Sequence, residues 1–105
     1  MTTLTENTAH VQIDGLRKLT GAEAATIREM MEEFMCSWHE KVYINTKDVT
    51  DADLSGINEI IHLNYRLQQH AKKLVLVYRK DSVIAKWVET TSLDQFTETA
   101  ILPAE

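Results

Sequence analysis

The sequence contains few of the residues that mark disulfide-bonded, glycine-rich or membrane-spanning proteins. Cys36 is its only cysteine, so the chain can form no internal disulfide, which fits a reducing compartment. Its three glycines never lie close enough together to form a glycine-rich phosphate-binding loop. The longest fully apolar run, 74–78, is far too short to span a bilayer, and residues 1–9 lack the basic start and apolar core of a signal peptide. We therefore expect a cytoplasmic protein without membrane insertion.

Charge and composition exclude another class of partner. The 105 residues are 44% hydrophobic and 26% charged, which is typical of one soluble globular domain. The formal net charge is −5, from 11 basic and 16 acidic residues. Nucleic acids and anionic membranes attract basic surfaces, so neither is expected to be the main partner.

The common catalytic and metal-binding patterns are also missing. Cys36 and His39 are three residues apart, but nothing nearby completes a ligand set. His62 and His70 are eight residues apart, about two helical turns, which is too far for one ion. The sequence has no G-x-S-x-G nucleophile motif. We therefore expect no enzyme activity, no metal site and no cofactor.

The hydrophobic pattern alternates between strand and helix periods along the chain. Strands are predicted at 10–14, 41–45, 73–78 and 96–102. Helices are predicted from 20 or 21 to about 37, from about 54 to 71, and from 82 or 83 to about 90. This order predicts a single α/β domain over 9–105, with helices packed on a mostly parallel sheet of four to five strands. Residues 1–8 are expected to form a flexible N-terminus or an edge strand.

The two long predicted helices differ in how regular their apolar faces are. The first is expected to bury Ala24, Ile27, Met31 and Phe34. Its charged residues, Arg28 among them, are expected mostly on the solvated side. The apolar face of the second is formed by Ile57, Ile60, Ile61 and Leu67, with Leu63 at its border. Asn64 interrupts that face, so it is either a core amide with a hydrogen-bond partner or a sign that the face is only partly buried.

The stretch 49–57 joins the second predicted strand to the second long helix, and it places a serine and two aspartates at the helix start. Asp51, Asp53 and Ser55 all compete for the role of N-cap. The unpaired N–H groups and the dipole of a helix start also allow an anion site, or a hydroxyl regulated by phosphorylation. Asp51 and Asp53 would repel a phosphate on Ser55, and Gly56 is expected to leave room for another protein's active site.

The sequence resembles the STAS domains of bacterial anti-sigma factor antagonists over roughly 9–102. The family pattern is a strand, then Asp-Ser-Ser-Gly-Leu, then a helix, and this chain has Asp53-Leu54-Ser55-Gly56-Ile57 in that place. A weaker match to a glycine-containing segment before the last strand is Ser92-Leu93-Asp94-Gln95-Phe96. A third match is Gly15, at the turn before the first long helix.

The resemblance implies a partner switch. The unphosphorylated domain would bind an anti-sigma factor that is also a serine kinase, which frees the sigma factor. The kinase would use ATP and Mg²⁺ to phosphorylate Ser55, and this weakens the complex until a phosphatase removes the phosphate. The partner is then expected to contact Asp51, Asp53, Leu54, Ser55, Gly56 and Asn58.

Several residues depart from the family pattern and leave other functions open. Leu54, Asn58 and Ser92 replace smaller residues, and the glycine expected before the third core strand is absent at His70-Ala71. A terminal helix after the last strand is expected to be short or missing. The alternatives are an adaptor or dimerisation module that is not phosphorylated, for instance a homodimer or a transport-complex subunit, and a binder of a small anion or nucleotide.

Overall fold

Strands and helices alternate along the part of the chain that the computed structural model describes, residues 3–6 and 10–103. The strands are β1 (Thr3–Glu6), β2 (His10–Asp14), β3 (Lys18–Leu19), β4 (Lys41–Asn45), β5 (Asp51–Ala52), β6 (Lys73–Arg79) and β7 (Glu98–Leu102). The helices are α1 (Gly21–Met35), α2 (Leu54–Gln69), α3 (Val83–Thr91) and a 3-10 helix at Leu93–Gln95. Two parts of the prediction lie outside the described residues. They are residues 1, 2, 7 and 8 of the predicted N-terminal segment, and residues 9, 104 and 105 of the predicted domain.

Five of the strands form one sheet in the order β1-β2-β4-β6-β7. β1 runs antiparallel to β2 at one edge, and the other neighbouring pairs are parallel. Parallel neighbours require crossover connections, which α1, α2 and α3 supply in turn. The prediction of an α/β domain with a mostly parallel sheet of four to five strands is confirmed.

The core lies between one face of this sheet and the helices. Residues in register on β2, β4 and β6 form two fully buried rows across the sheet. The rows are Val11, Val42 and Leu74, and Ile13, Ile44 and Leu76. Residues between these rows, such as exposed Gln12 and half-buried Tyr43, point to the opposite face, because side chains alternate along a strand.

The predicted helix faces are largely confirmed. The four residues predicted for the buried stripe of α1 are all buried. On α2, Leu63 is fully buried whereas Ile61 is only half-buried, so the buried face is centred closer to Leu63 than the sequence predicts. Asn64 is a core amide with a partner, because its Nδ2 donates to the carbonyl of Phe96.

Two local features differ from the sequence predictions. β3 and β5 form a separate two-stranded parallel sheet, which pairs Lys18 with Asp51 and Leu19 with Ala52. The last strand begins at Glu98 rather than at 96, because the N–H groups of Phe96 and Thr97 both donate to the carbonyl of Leu93 at 3.0 Å and extend the 3-10 turn.

Candidate functional site

The candidate site is the turn that leads from β4 into α2. The backbone N–H and the hydroxyl of Thr46 both donate to the carbonyl of Val77, each at 2.7 Å, and this fixes the end of β4 against β6. Val49 is buried beneath the turn. The N–H of Thr50 donates to the carbonyl of Arg17 at 3.0 Å. The turn is therefore held on both sides before the helix begins.

The N-cap of α2 is Asp53. Its backbone is extended, with φ −132° and ψ 174°, and its carboxylate accepts a hydrogen bond from the N–H of Gly56 at 2.8 Å. The N–H of Asp53 itself donates to the carbonyl of Leu19 at 3.2 Å. Of the three side chains that compete for the cap in the sequence, Asp53 fills the role, so Ser55 is not needed to start the helix.

Ser55 is the second residue of α2 and is exposed. Its hydroxyl forms no hydrogen bond with any residue of the described ranges. It lies beside the start of α1, since a Cβ added to Gly21 would sit 3.5 Å from the Cβ of Ser55. The hydroxyl is thus presented to solvent where two helices begin side by side.

Gly56 is buried, which corrects one expectation. A Cβ on Gly56 would lie 1.9 Å from the carbonyl oxygen of Leu19, far inside van der Waals contact. The missing side chain makes room for the backbone of β3 inside this chain, and not for another protein's active site.

The other residues predicted to contact a partner lie within four positions of Ser55 in the chain. All of them are exposed, and Leu54 has 54% of its area accessible. These residues are Asp51, Asp53, Leu54 and Asn58. A hydroxyl, two carboxylates, an amide and an apolar side chain are thus all exposed at or just before the start of α2.

An ion pair that the sequence analysis did not identify lies one turn along α2 from Ser55. Glu59 is buried, with 5% of its side chain accessible, and Arg28 of α1 reaches it across the helix pair. Both Nε, at 2.6 Å, and Nη2 of Arg28 donate to the same oxygen, Oε1 of Glu59. The available signal was a glutamate within the apolar positions of α2, but naming its partner requires the register of α1 against α2.

Two residues that replace expected glycines keep a glycine-like backbone, and one of them, Ser92, opens the weaker sequence match. Ser92 and Ala71 stand where the sequence analysis expects glycines, and they have φ values of 55° and 57°. Glycine is the residue that adopts this left-handed conformation without strain. The backbone therefore keeps the shape that glycine favours at both positions.

The described part of the chain has neither a metal-ligand cluster nor a membrane-spanning helix. No three His, Cys, Asp or Glu side chains there are grouped so that they could hold a metal ion. Within residues 3–6 and 10–103, no helix is both long and apolar enough to cross a lipid bilayer.

Comparison with known proteins identifies the family. The family model of the STAS domain matches residues 2–101, and the chain belongs to this family. Its fold is similar to that of the anti-sigma factor antagonist SpoIIAA in its unphosphorylated form, at 18% identity over 95% of this chain and 88% of that chain, with a TM-score of 0.77.

A second solved structure gives the same result. The phosphorylated form of SpoIIAA, a Bacillus cell fate determinant, is 17% identical over 95% of this chain and 91% of that chain, with a TM-score of 0.71. At these identities the likeness establishes a shared fold. A comparison with curated protein sequences finds no match.

Proposed function

We propose that this STAS domain is a cytoplasmic anti-sigma factor antagonist. It binds an anti-sigma factor that is a serine kinase, and phosphorylation of Ser55 weakens that complex. The chain is the substrate of the kinase and not an enzyme, and the kinase supplies the ATP and Mg²⁺. Its fold is shared with an antagonist whose unphosphorylated and phosphorylated forms have both been solved, which supports the proposal.

The observation that carries the proposal is the exposed hydroxyl of Ser55 at a helix start where Asp53 already provides the cap. A capping serine is occupied by its hydrogen bond to the backbone. Ser55 has no such task, so a kinase can reach it without unfolding the helix. Its neighbour Leu54 offers an exposed apolar contact on the same surface.

The charges around Ser55 explain how phosphorylation would act. A phosphate adds about −1.5 to −2 charges at neutral pH. The carboxylate of Asp53 already accepts the hydrogen bond from the N–H of Gly56, and exposed Asp51 lies nearby. The added charge would therefore be felt on the partner-facing surface, and a partner that fits the neutral hydroxyl would lose that fit.

The test is to incubate the chain with its cognate anti-sigma factor kinase and ATP. The expected product is heavier by one phosphate, which maps to Ser55. Ser55→Ala should abolish phosphorylation and keep kinase binding, whereas Ser55→Asp should weaken binding. Thr50→Ala is the matched control, because Thr50 is an exposed hydroxyl on the same turn and its loss should change neither result.

Two results would contradict the assignment of Ser55 as the switch. If Ser55→Ala is phosphorylated as fully as the wild type, or if Ser55→Asp binds the kinase with unchanged affinity, Ser55 is not the switch.

A second candidate function is an adaptor or dimerisation module, and it is favoured by apolar side chains exposed away from Ser55. Phe96 and Ile101, beside and within β7, have 56% and 59% of their areas accessible. Light scattering on dilute protein would show a dimer that Ile101→Ser weakens. A monomer that forms no stable complex contradicts this alternative.

A further inference from the structure

Helices α1 and α2 lie side by side with their starts at the same level. Gly21, the first residue of α1, abuts Ser55 of α2. Glu32 is eleven residues after Gly21 and Arg66 is eleven residues after Ser55, and these two side chains form an ion pair at 3.0 Å. Residues at equal distances from the two starts therefore face each other along the seam.

The ion pair between Arg28 and Glu59 departs from this matching. Arg28 is seven residues after Gly21, but Glu59 is only four residues after Ser55. At 1.5 Å per residue, the arginine side chain leans about 4.5 Å back toward the helix starts. Helical side chains point in that direction, and Ser55 and Glu59 are neighbours at i and i+4, with Cβ atoms about 5–6 Å apart. The guanidinium thus lies within about one turn of Ser55.

The guanidinium of Arg28 has N–H donors that Glu59 does not use. Arginine has five such donors, and Arg28 directs two of them, one on Nε and one on Nη2, to Glu59. Its side chain is 53% exposed although its carboxylate partner is buried. Arg28 is also the only basic residue in α1.

We propose that Arg28 is the intramolecular ligand of a phosphate on Ser55, and that Glu59 is the positioning residue that holds it there. This rests on the proposed function only in assuming that Ser55 is phosphorylated. The other charged side chains near the two helix starts are Arg17, Lys18, Glu23, Asp51 and Asp53. Among them Arg17 and Lys18 are the rival cations, and Lys18 lies in register with Asp51.

The test places phosphoserine at position 55 during translation, so that no kinase is needed, and titrates the phosphate by phosphorus-31 NMR. A nearby guanidinium favours the dianion, so the titration midpoint of the wild type should lie about 0.5–1 pH unit below that of Arg28→Gln, a three- to tenfold change in proton affinity. Arg28→Lys should give an intermediate midpoint. Arg66→Gln is the matched control, because it breaks the other ion pair of the same seam, about 16 Å along α2 from Ser55, and should leave the midpoint unchanged.

A second variant separates phosphate binding from folding. Arg28→Gln leaves a buried carboxylate unpaired, which can unfold the chain, whereas the double variant Arg28→Gln, Glu59→Gln removes both charges. Both variants that lack the Glu59 carboxylate lose a charge that disfavours the dianion, so they are compared with each other, and the double variant should titrate above Glu59→Gln. This rise should be smaller than the rise from the wild type to Arg28→Gln, since the arginine of Glu59→Gln is present but no longer held.

Equal midpoints for the folded double variant and Glu59→Gln would overturn the proposal, as would a midpoint that responds to Arg17→Gln or Lys18→Gln and not to Arg28→Gln. If the midpoint shifts as expected but no kinase modifies Ser55, the contact with Arg28 stands and the proposed function fails.

Discussion

Helices α2 and α3 both begin at a residue whose side chain caps the helix, yet the serines near their starts have different roles. In α3 the cap is Ser82, whose hydroxyl accepts from the N–H of Ala85 at 3.2 Å. In α2 the cap is Asp53, which accepts from Gly56 in the same way. The serine near the start of α3 therefore forms the cap, whereas the serine near the start of α2 does not.

The next positions sharpen this contrast. The second residue of α3, Ile84, is fully buried, whereas the second residue of α2, Ser55, is exposed. The third residue donates to the cap in both helices, but Ala85 carries a methyl group for which Gly56 has no room. A serine near a helix start is therefore not informative by type alone. Its position relative to the cap decides whether the hydroxyl is available to a partner.

The largest expected effect is at the third position. Gly56→Ala places a Cβ 1.9 Å from the Leu19 carbonyl, so the backbone of β3 or α2 must move. We expect a loss of about 3 kcal/mol or more in the free energy of unfolding, measured with urea. Ala85→Gly, the matching change in α3, should cost only about 0.5–1 kcal/mol. Similar losses for both variants would remove the steric difference between the helix starts.

The next effect distinguishes the two serines. Ser82→Ala removes a cap and should lower the free energy of unfolding by about 1 kcal/mol. Ser55→Ala removes a hydroxyl without a hydrogen-bond partner in the described ranges and should change it by less than about 0.5 kcal/mol. Asp53→Ala serves as the positive control in α2 and should behave like Ser82→Ala. A Ser55→Ala variant as unstable as Ser82→Ala would show that Ser55 has a structural role after all.

The ends of the two helices offer a smaller effect in the opposite direction. Ala71 follows α2 and Ser92 follows α3, and both have left-handed backbones. Replacing either by glycine relieves strain but makes the unfolded chain more flexible, so we expect a net gain of about 0.5 kcal/mol in the free energy of unfolding. Gly15→Ala is the reverse control, because Gly15 has φ 77° and should lose stability. A loss at both Ala71→Gly and Ser92→Gly would argue against strain at these ends.

The smallest effect concerns pH and the strand that leads to α3. Burial raises the pKa of the Tyr78 hydroxyl above its ordinary 10.0, and the charge of Asp94 raises it further. The folded chain therefore holds this proton more tightly than the unfolded chain, and the stability it contributes is present below pH 10 and is lost as the pH rises through the folded pKa. Tyr78→Phe should lose less stability than the wild type as the pH rises above about 10 in urea unfolding. Equal losses would contradict this assignment.

The sequence predicts the strands, helices and buried stripes well, because Val11, Ile27 and Leu76 follow the periods of a strand or a helix. The pair β3 and β5 escapes prediction, since two-residue strands have no period. The candidate site is predicted in part: the motif locates Ser55, but its exposure does not follow from the cap at Asp53, since Ile84 holds the same position after the cap of α3 and is buried. The tight contact at Gly56 and the ion pair of Arg28 depend on tertiary packing, which no local pattern encodes.

The short stretch 17–20 has a consequence for protein engineering. Its carbonyl groups accept the N–H of Thr50, Asp53 and Ala24, and Gly56 packs against it, so one piece of main chain fixes the start of both long helices. Transplanting the Asp53–Ile57 motif alone into a distant relative would omit the main-chain segment 17–20 that holds it in place. A working chimera would have to carry both segments together, although more than thirty residues separate them in the chain.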